Sequence, residues 1–174
     1  MMREEEIKKV MGEMPCGLYI IGSTMGAEVN AMMADWVMQI SFVPRLIVVS
    51  LENDAHTLQN IRASGVFTVN FLSQDRDSMD LAAKFAQPYY DAKIKGRATS
   101  VAEQVHRKLE GIAFTRSAHG CPVLAAAMAW LDCQAVEFVP AGDHTLVTAE
   151  VTDGQLLRDA EPLTNVYTGW PYSG

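Results

Sequence analysis

The sequence predicts a mainly β fold: an antiparallel, Greek-key-like barrel with inserted helices. Three observations predict it. Roughly six runs rich in β-branched and aromatic residues are bounded by Gly, Pro, Asn and Asp rather than by helix-length segments. Two short helical patterns interrupt them, without the regular strand–helix alternation of a parallel sheet. No repeat, low-complexity tract or linker divides the 174 residues, and an apolar fraction of 49% suits one substantial core, so a single domain over 1–174 is expected.

In chain order, residues 3–13 place Ile7, Val10 and the following Met14 at helical spacing among charges, a short amphipathic helix expected to act as a lid or brace. Gly17–Ser23 reads as a strand, and Met25-Gly26-Ala27-Glu28 as a turn into an extended run from Asn30 to Phe42, which together make a hairpin. After Pro44, Leu46–Leu51 is almost unbroken apolar, which predicts a central strand covered on both faces. Asn53 or Asp54 is the expected N-cap of a helix carrying Leu58 and Ile61, with Gly65 at its stop. Val66–Leu72 is the next strand. Asp75 or Asp77 then caps a helix in which Met79, Ala82 and Phe85 share a face, ended by Pro88. Residues 87–110 give mixed signals. Beyond them lie an apolar run at Cys121–Leu124, a strand from Ala129 to Val139, a turn at Pro140–Asp143, and a returning strand from His144 to Val151. Asp153-Gly154 reads as a turn, and Tyr167–Gly174 as an aromatic, glycine-rich tail.

Composition excludes several function classes. A net charge of -7, with no basic run interleaved with aromatics, argues against nucleic acid as a partner. The longest charge-free apolar stretch, Cys121 to Leu131, is well short of the ~20 residues that span a bilayer. The charged N-terminus is unlike a secretory leader, and together these predict a cytoplasmic protein with no membrane association. Cys16, Cys121 and Cys133 lack metal-ligand spacing and read as reduced thiols, and the four histidines are too scattered for a metal site. GxGxxG, Walker, GxSxG and HExxH patterns are all absent.

Two segments point to a ligand. In Ser50-Leu51-Glu52-Asn53-Asp54-Ala55-His56-Thr57 a strand runs into a helix N-terminus, whose free N–H groups suit either an ordinary cap or a phosphate monoester. In Asn30–Trp36, small, polar and aromatic residues mix in an extended run, where Trp36 serves equally well as a core residue or as support for a ring.

Taken together, GLYIIGS (17–23), NAMMADWVMQISFVP (30–44), LIVVSLENDAHTLQNI (46–61), SGVFTVNFL (64–72), HGCPVLAAAMAWLDCQAV (119–136) and AGDHTLVTAEVTDGQLL (141–157) resemble, in order and spacing, the flavin reductase-like family that includes the flavoredoxins. The tail LTNVYTGWPYSG resembles the family's C-terminus, which implies a complete chain.

The resemblance implies an FMN-binding split β-barrel that forms a homodimer, with the flavin at the dimer interface. The implied ring contacts are Met33, Ala34, Asp35 and Trp36, where main-chain N–H groups along Ala34–Trp36 meet the pyrimidine edge and N5. The implied phosphate contacts are Ser50, Asn53, His56 and Thr57, and Asn30, Leu51 and Phe85 are further cofactor-binding candidates. His144, in the Gly142-Asp143-His144 turn, is implied to orient a nicotinamide. Where many members carry Thr-Ala-Ser, this chain has Met33-Ala34-Asp35, and its phosphate loop is acidic at Glu52 and Asp54. Arg45 or a partner subunit is the expected source of the missing positive charge. Three functions follow as expectations: an NAD(P)H-dependent FMN oxidoreductase reducing free flavin, ferric iron or another acceptor, a flavoredoxin-type carrier reduced by a small redox protein, and a non-catalytic binding dimer.

Overall fold

The structure, a computed structural model, describes residues 2–87 and 108–170. The elements run α1 (Met2–Gly12), β1 (Tyr19–Met25), β2 (Glu28–Ala34), β3 (Val37–Ser41), β4 (Leu46–Glu52), α2 (His56–Ser64), β5 (Val66–Phe71), α3 (Arg76–Phe85), β6 (Phe114–Arg116), β7 (Pro122–Leu124), β8 (Ala129–Ala141), β9 (His144–Leu156) and α4 (Asn165–Thr168). The fold is mainly antiparallel β with helices. Seven strands form one sheet in the order β2-β1-β5-β8-β9-β4-β3, and β6 and β7 form a separate ribbon.

Strand order and chain order together force the sheet to curl. β2 and β3 are its opposite margins, which in a flat sheet would lie about 29 Å apart at ~4.8 Å per strand. Only Asp35 and Trp36 separate them, and three Cα steps reach at most ~11 Å. The margins must therefore meet at that end, and the Ser50 N–H donates to the Trp36 carbonyl at 3.0 Å, which fixes the link to β4.

The inner face follows from period-two burial. Ile47, Val49 and Leu51 of β4 and Val147 and Ala149 of β9 are buried with Ile21, Phe67 and Val69, and Leu58 and Ile61 of α2 close one side of this cluster. A second cluster joins Leu18, Ile20, Leu72, Ala82, Phe85 and Leu163 beneath α3. Burying a Phe or Leu side chain contributes ~1.5–3 kcal/mol, so these two groups dominate the stability of the fold. The β6–β7 ribbon docks through Asn70, which accepts from the Leu124 N–H at 2.8 Å, and through Thr68, whose hydroxyl donates to the Pro122 carbonyl at 2.6 Å. Gly22 permits that approach, since a Cβ there would collide with Thr68 Oγ1 and the Pro122 carbonyl.

Several expectations need correction. The run Asn30–Phe42 is two strands on opposite sheet margins, because the chain breaks at Asp35–Trp36. β4 is one strand in from a margin and not central; it buries alternate residues, leaving Leu46, Val48 and Ser50 half-exposed. Helix α2 starts at His56 with Ala55 as N-cap and no side-chain cap, because Asn53 is used elsewhere. Asp153-Gly154 lies inside β9, where the strand passes a bulge opposite Asp132/Cys133 instead of turning. Ile7, Val10 and Met14 are exposed, so α1 does not brace the sheet within this chain. Asp75 does cap α3, accepting from the Ser78 N–H at 2.7 Å. The expectations for Pro88, for most of 87–110, and for the tail from residue 171 onward lie outside the described residues.

Candidate functional site

On the outer face of the sheet between β3, β4 and β9, apolar and polar groups converge while half-open to solvent. Antiparallel register sets Met38 beside Val48, Val48 beside Thr148, Ser50 beside Leu146, and Glu52 beside His144. At its upper end the indole of Trp36 meets the imidazole of His144, with ring centroids 4.9 Å apart and planes tilted by 45°. Asp143 Oδ1 lies 2.7 Å from His144 Nδ1, which fixes the imidazole's rotation and holds the Asp143 carboxyl below its ordinary range. This pair arises because the β8–β9 hairpin turns on Gly142, whose φ of 67° is left-handed, delivering residues 143 and 144 to the strand end beside Trp36.

Asp35 stands next to Trp36 in the link between the margins. Burial pushes its carboxyl above the usual range, while the N–H groups of Asp35 and Trp36, and then His144, act in the opposite direction. Cys16 is near enough that burial first, and Asp35 second, raise its thiol.

A few ångströms along, the loop leaving β4 is tied to the β8–β9 hairpin. The Asn53 N–H donates to the Asp143 carbonyl at 3.0 Å, its side-chain amide donates to the Gly142 carbonyl at 3.2 Å, and its Oδ1 accepts from the Thr145 hydroxyl at 2.8 Å. Thr145 in turn accepts from Arg62 at 3.2 Å. Arg62 is the cation that the sequence reading missed at this loop. Its spacing from Asn53 gives no hint, since the two meet only through a residue of β9. Arg45, the expected cation, precedes β4, whereas Asn53 follows it; the strand between them is seven residues long, roughly 23 Å at 3.3 Å per residue.

The remaining candidates are dispersed. Leu51, Thr57 and Phe85 are each 1% exposed, Leu51 in the main core and Phe85 in the second, so their side chains are closed to a ligand. Asn30 and Ala34 are buried on β2, and Met33 packs partly against the second core. His56 is 8% exposed, and its Nε2 lies 3.5 Å from Glu28 Oε1 at the β1–β2 turn. The structure thus brings together Asp35, Trp36, Ser50, Asn53 and His144, and turns the side chains of Leu51, His56, Thr57 and Phe85 elsewhere.

The exposed face fits a planar ring chemically. Trp36, Val48 and Leu146 supply apolar area and the Ser50 hydroxyl a hydrogen bond; Arg62, bonded to the buried Thr145, belongs to the other face of β9, and Asn53 at the strand end links the two. Among the described residues no His, Cys, Asp and Glu group is arranged to hold a metal ion, and no helix is long and apolar enough to cross a membrane.

Comparison with known proteins agrees in kind. The family model described as "Flavin reductase like domain" matches residues 11–170. Among curated proteins, the chain is 27% identical over 164 residues to "Diflavin flavoprotein A 1" of Synechocystis, covering 94% of this chain and 26% of that protein. It is 29% identical to "High molecular weight rubredoxin" of Moorella thermoacetica, covering 91% of this chain and 64% of the relative. The chain thus spans about a quarter of the length of the first of these relatives. Among solved structures, "Flavin reductase PheA2 in native state" superposes with a TM-score of 0.72 at 30% identity, covering 92% of both chains. "Flavin Reductase HpaC complexed with NADP+" gives 0.73 at 25%, again covering 92% of both.

Proposed function

The chain belongs to the flavin reductase-like family, and on that premise we propose that it is an oxidoreductase working through bound FMN, with NADH or NADPH as the electron donor. The observation that carries this reading is the Trp36–His144 pair at the head of a half-open apolar face, with the Arg62–Thr145–Asn53 chain at its side. When bound, the flavin supplies two-electron chemistry at its ring.

The protein's own part is positional. Trp36 and Leu146 give the ring a surface that excludes water on one side, and Ser50 offers its hydroxyl. Arg62 supplies charge-assisted donors to a phosphate, offsetting Glu52 and Asp54. His144, its ring set by Asp143, orients the nicotinamide. Transfer between two stacked rings depends on alignment, so a fixed imidazole matters more here than a proton donor.

Dimerisation belongs to the same proposal. The β3 margin exposes Met38 and Ile40, and the turn after it leaves Phe42 83% and Val43 91% exposed. A second copy laid along this margin would cover that surface and complete the ring site. Acceptors are free flavin, ferric iron or a small redox protein. The cytoplasm, where reduced pyridine nucleotides are kept, is the proposed compartment.

The test begins with colour. Purified protein should be yellow, and the mass of the released cofactor distinguishes FMN from FAD. Anaerobic oxidation of NADH or NADPH by the yellow protein should follow. A colourless protein that takes up neither flavin from solution overturns the reading and leaves the non-catalytic dimer.

A second reading, a carrier reduced by a protein donor, is favoured by the relatives in which the matching region is one part of a longer flavoprotein or rubredoxin. Stopped-flow reduction by a rubredoxin system faster than by either nucleotide would select it.

A further inference from the structure

We infer that Asp35 is a charge filter on the ring-binding face, holding an uncharged ring and turning away an anionic one, so that oxidised flavin is retained and reduced flavin let go. The inference rests on the flavin reading above and adds a selectivity that reading does not contain.

The geometry supports it in three ways. First, Asp35 lies in the two-residue link that also carries Trp36, so a ring packed on the indole beside His144 is adjacent to the Asp35 carboxyl. Second, the main-chain N–H groups of Asp35 and Trp36 are close enough to that carboxyl to act on its charge, so a ring edge seated at these donors also meets the carboxylate. Third, the charges around this point are mostly of one sign. Cys16 of the segment before β1 and His144 of β9 face Asp35, His144 is already paired with Asp143, and Glu52 stands opposite His144 in register. Among the described residues no lysine or arginine forms an ion pair with Asp35.

Burial is the largest influence and raises the carboxyl above its ordinary range, with the two N–H groups and His144 acting against it, so the filter is tested well on the alkaline side. A carboxylate within several ångströms of an anionic ring, in a half-buried setting of intermediate dielectric, is worth more than a tenfold change in affinity. A ring that is neutral when oxidised and anionic when reduced is thereby bound unequally. By linkage, the ratio of the two affinities is also the shift in reduction potential, about 30 mV for each tenfold in a two-electron couple. A filter of this kind suits a protein that loads oxidised flavin and dispenses it reduced.

The experiment titrates the full-length protein at pH 8, under argon, with oxidised FMN and with photoreduced FMN, and measures the midpoint potential of the bound cofactor. Wild type and Asp35→Glu should bind the oxidised form at least tenfold tighter than the reduced, with a potential about 30 mV or more below that of free FMN. Asp35→Asn and Asp35→Ser should bring the ratio near one, chiefly through tighter binding of reduced FMN. Two neutral variants guard against one that fails to fold, and the wild-type ratio is a test without any mutation. A wild-type ratio near one, or a ratio that both neutral variants leave unchanged, overturns the filter while the flavin reading stands. Binding of neither redox form by any of the proteins overturns both.

Discussion

Arg62, on helix α2, donates to the hydroxyl of Thr145, on β9, at 3.2 Å, while its guanidinium lies 4.7 Å over the ring of Phe138. The ring and the hydrogen bond hold an exposed cation in one orientation beside Asn53. Truncating Arg62 to Ala should weaken FMN binding about tenfold and flatten its dependence on salt, with Arg62→Lys falling between. Fluorescence titration at two ionic strengths checks both.

Asp132 is a buried acid with two jobs. Its Oδ1 accepts from the Ser117 hydroxyl at 3.0 Å, and its Oδ2 lies 3.0 Å from His119 Nδ1, so it latches the turn at 117–121 onto β8. Asp132→Ala leaves the Ser117 hydroxyl without its acceptor and removes the His119 contact, and should cost about 1–3 kcal/mol in urea unfolding. His119→Ala, whose ring is partly exposed, should cost less.

Asp75 should make stability depend on acid. Its carboxyl is held below the usual range first by the Ser73 hydroxyl, with the Ser78 N–H and hydroxyl and Arg158 adding to the effect against partial burial, which opposes them. A folded-state value below the unfolded one gives stability that is fully present above the ordinary carboxylate range and lost as pH falls through the depressed value. Asp75→Ala should therefore cost about 1 kcal/mol at pH 7, the usual worth of an N-cap, and less at pH 3. The group is half-exposed, so screening keeps the effect modest. Denaturant melts at the two pH values measure the difference.

Gly154 is required by contact, not by backbone conformation. A Cβ there would come 2.7 Å from Leu131 Cδ2 and 2.9 Å from the Trp130 carbonyl. Gly154→Ala should destabilise by roughly 1–3 kcal/mol, whereas Gly12→Ala, with open space around it, should be neutral or mildly stabilising. Thermal melts of the two variants compare them directly.

Thiol reactivity should separate the cysteines. Burial, with Asp132 next, pushes Cys121 up to about 12, and the same causes raise Cys133, while Cys16 is the partly exposed one. Native labelling with iodoacetamide at pH 8, read by mass, should modify Cys16 alone among the three, slowly, and the other two only after unfolding.

What the sequence revealed and concealed divides along physical lines. Hairpins were legible, because Gly26 and Gly142 mark turns between runs of matching period. The Asp75 cap was legible from side-chain chemistry alone. The standing of β4 was not: Leu46 and Val48 look like core in a one-dimensional reading, yet they lie on a face that stays half-open within one chain. Asp153-Gly154 misled because a glycine demanded by a neighbouring strand reads the same as a glycine demanded by a turn. At the site, Trp36, Asp35 and His144 were named from resemblance to a family. That Arg62 is tied through Thr145 to Asn53, and that Phe85 and Thr57 point into the interior, depends on tertiary packing no local pattern encodes.

The two-residue span between Ala34 and Val37 has a consequence for how this fold can vary. It works as the clasp that keeps a seven-stranded ribbon rolled, since three Cα steps hold the two hems within ~11 Å of each other. Novelty at this corner must therefore arrive by exchanging side chains on a fixed spacing, which makes residues 35 and 36 a natural place for related chains to differ in what they hold.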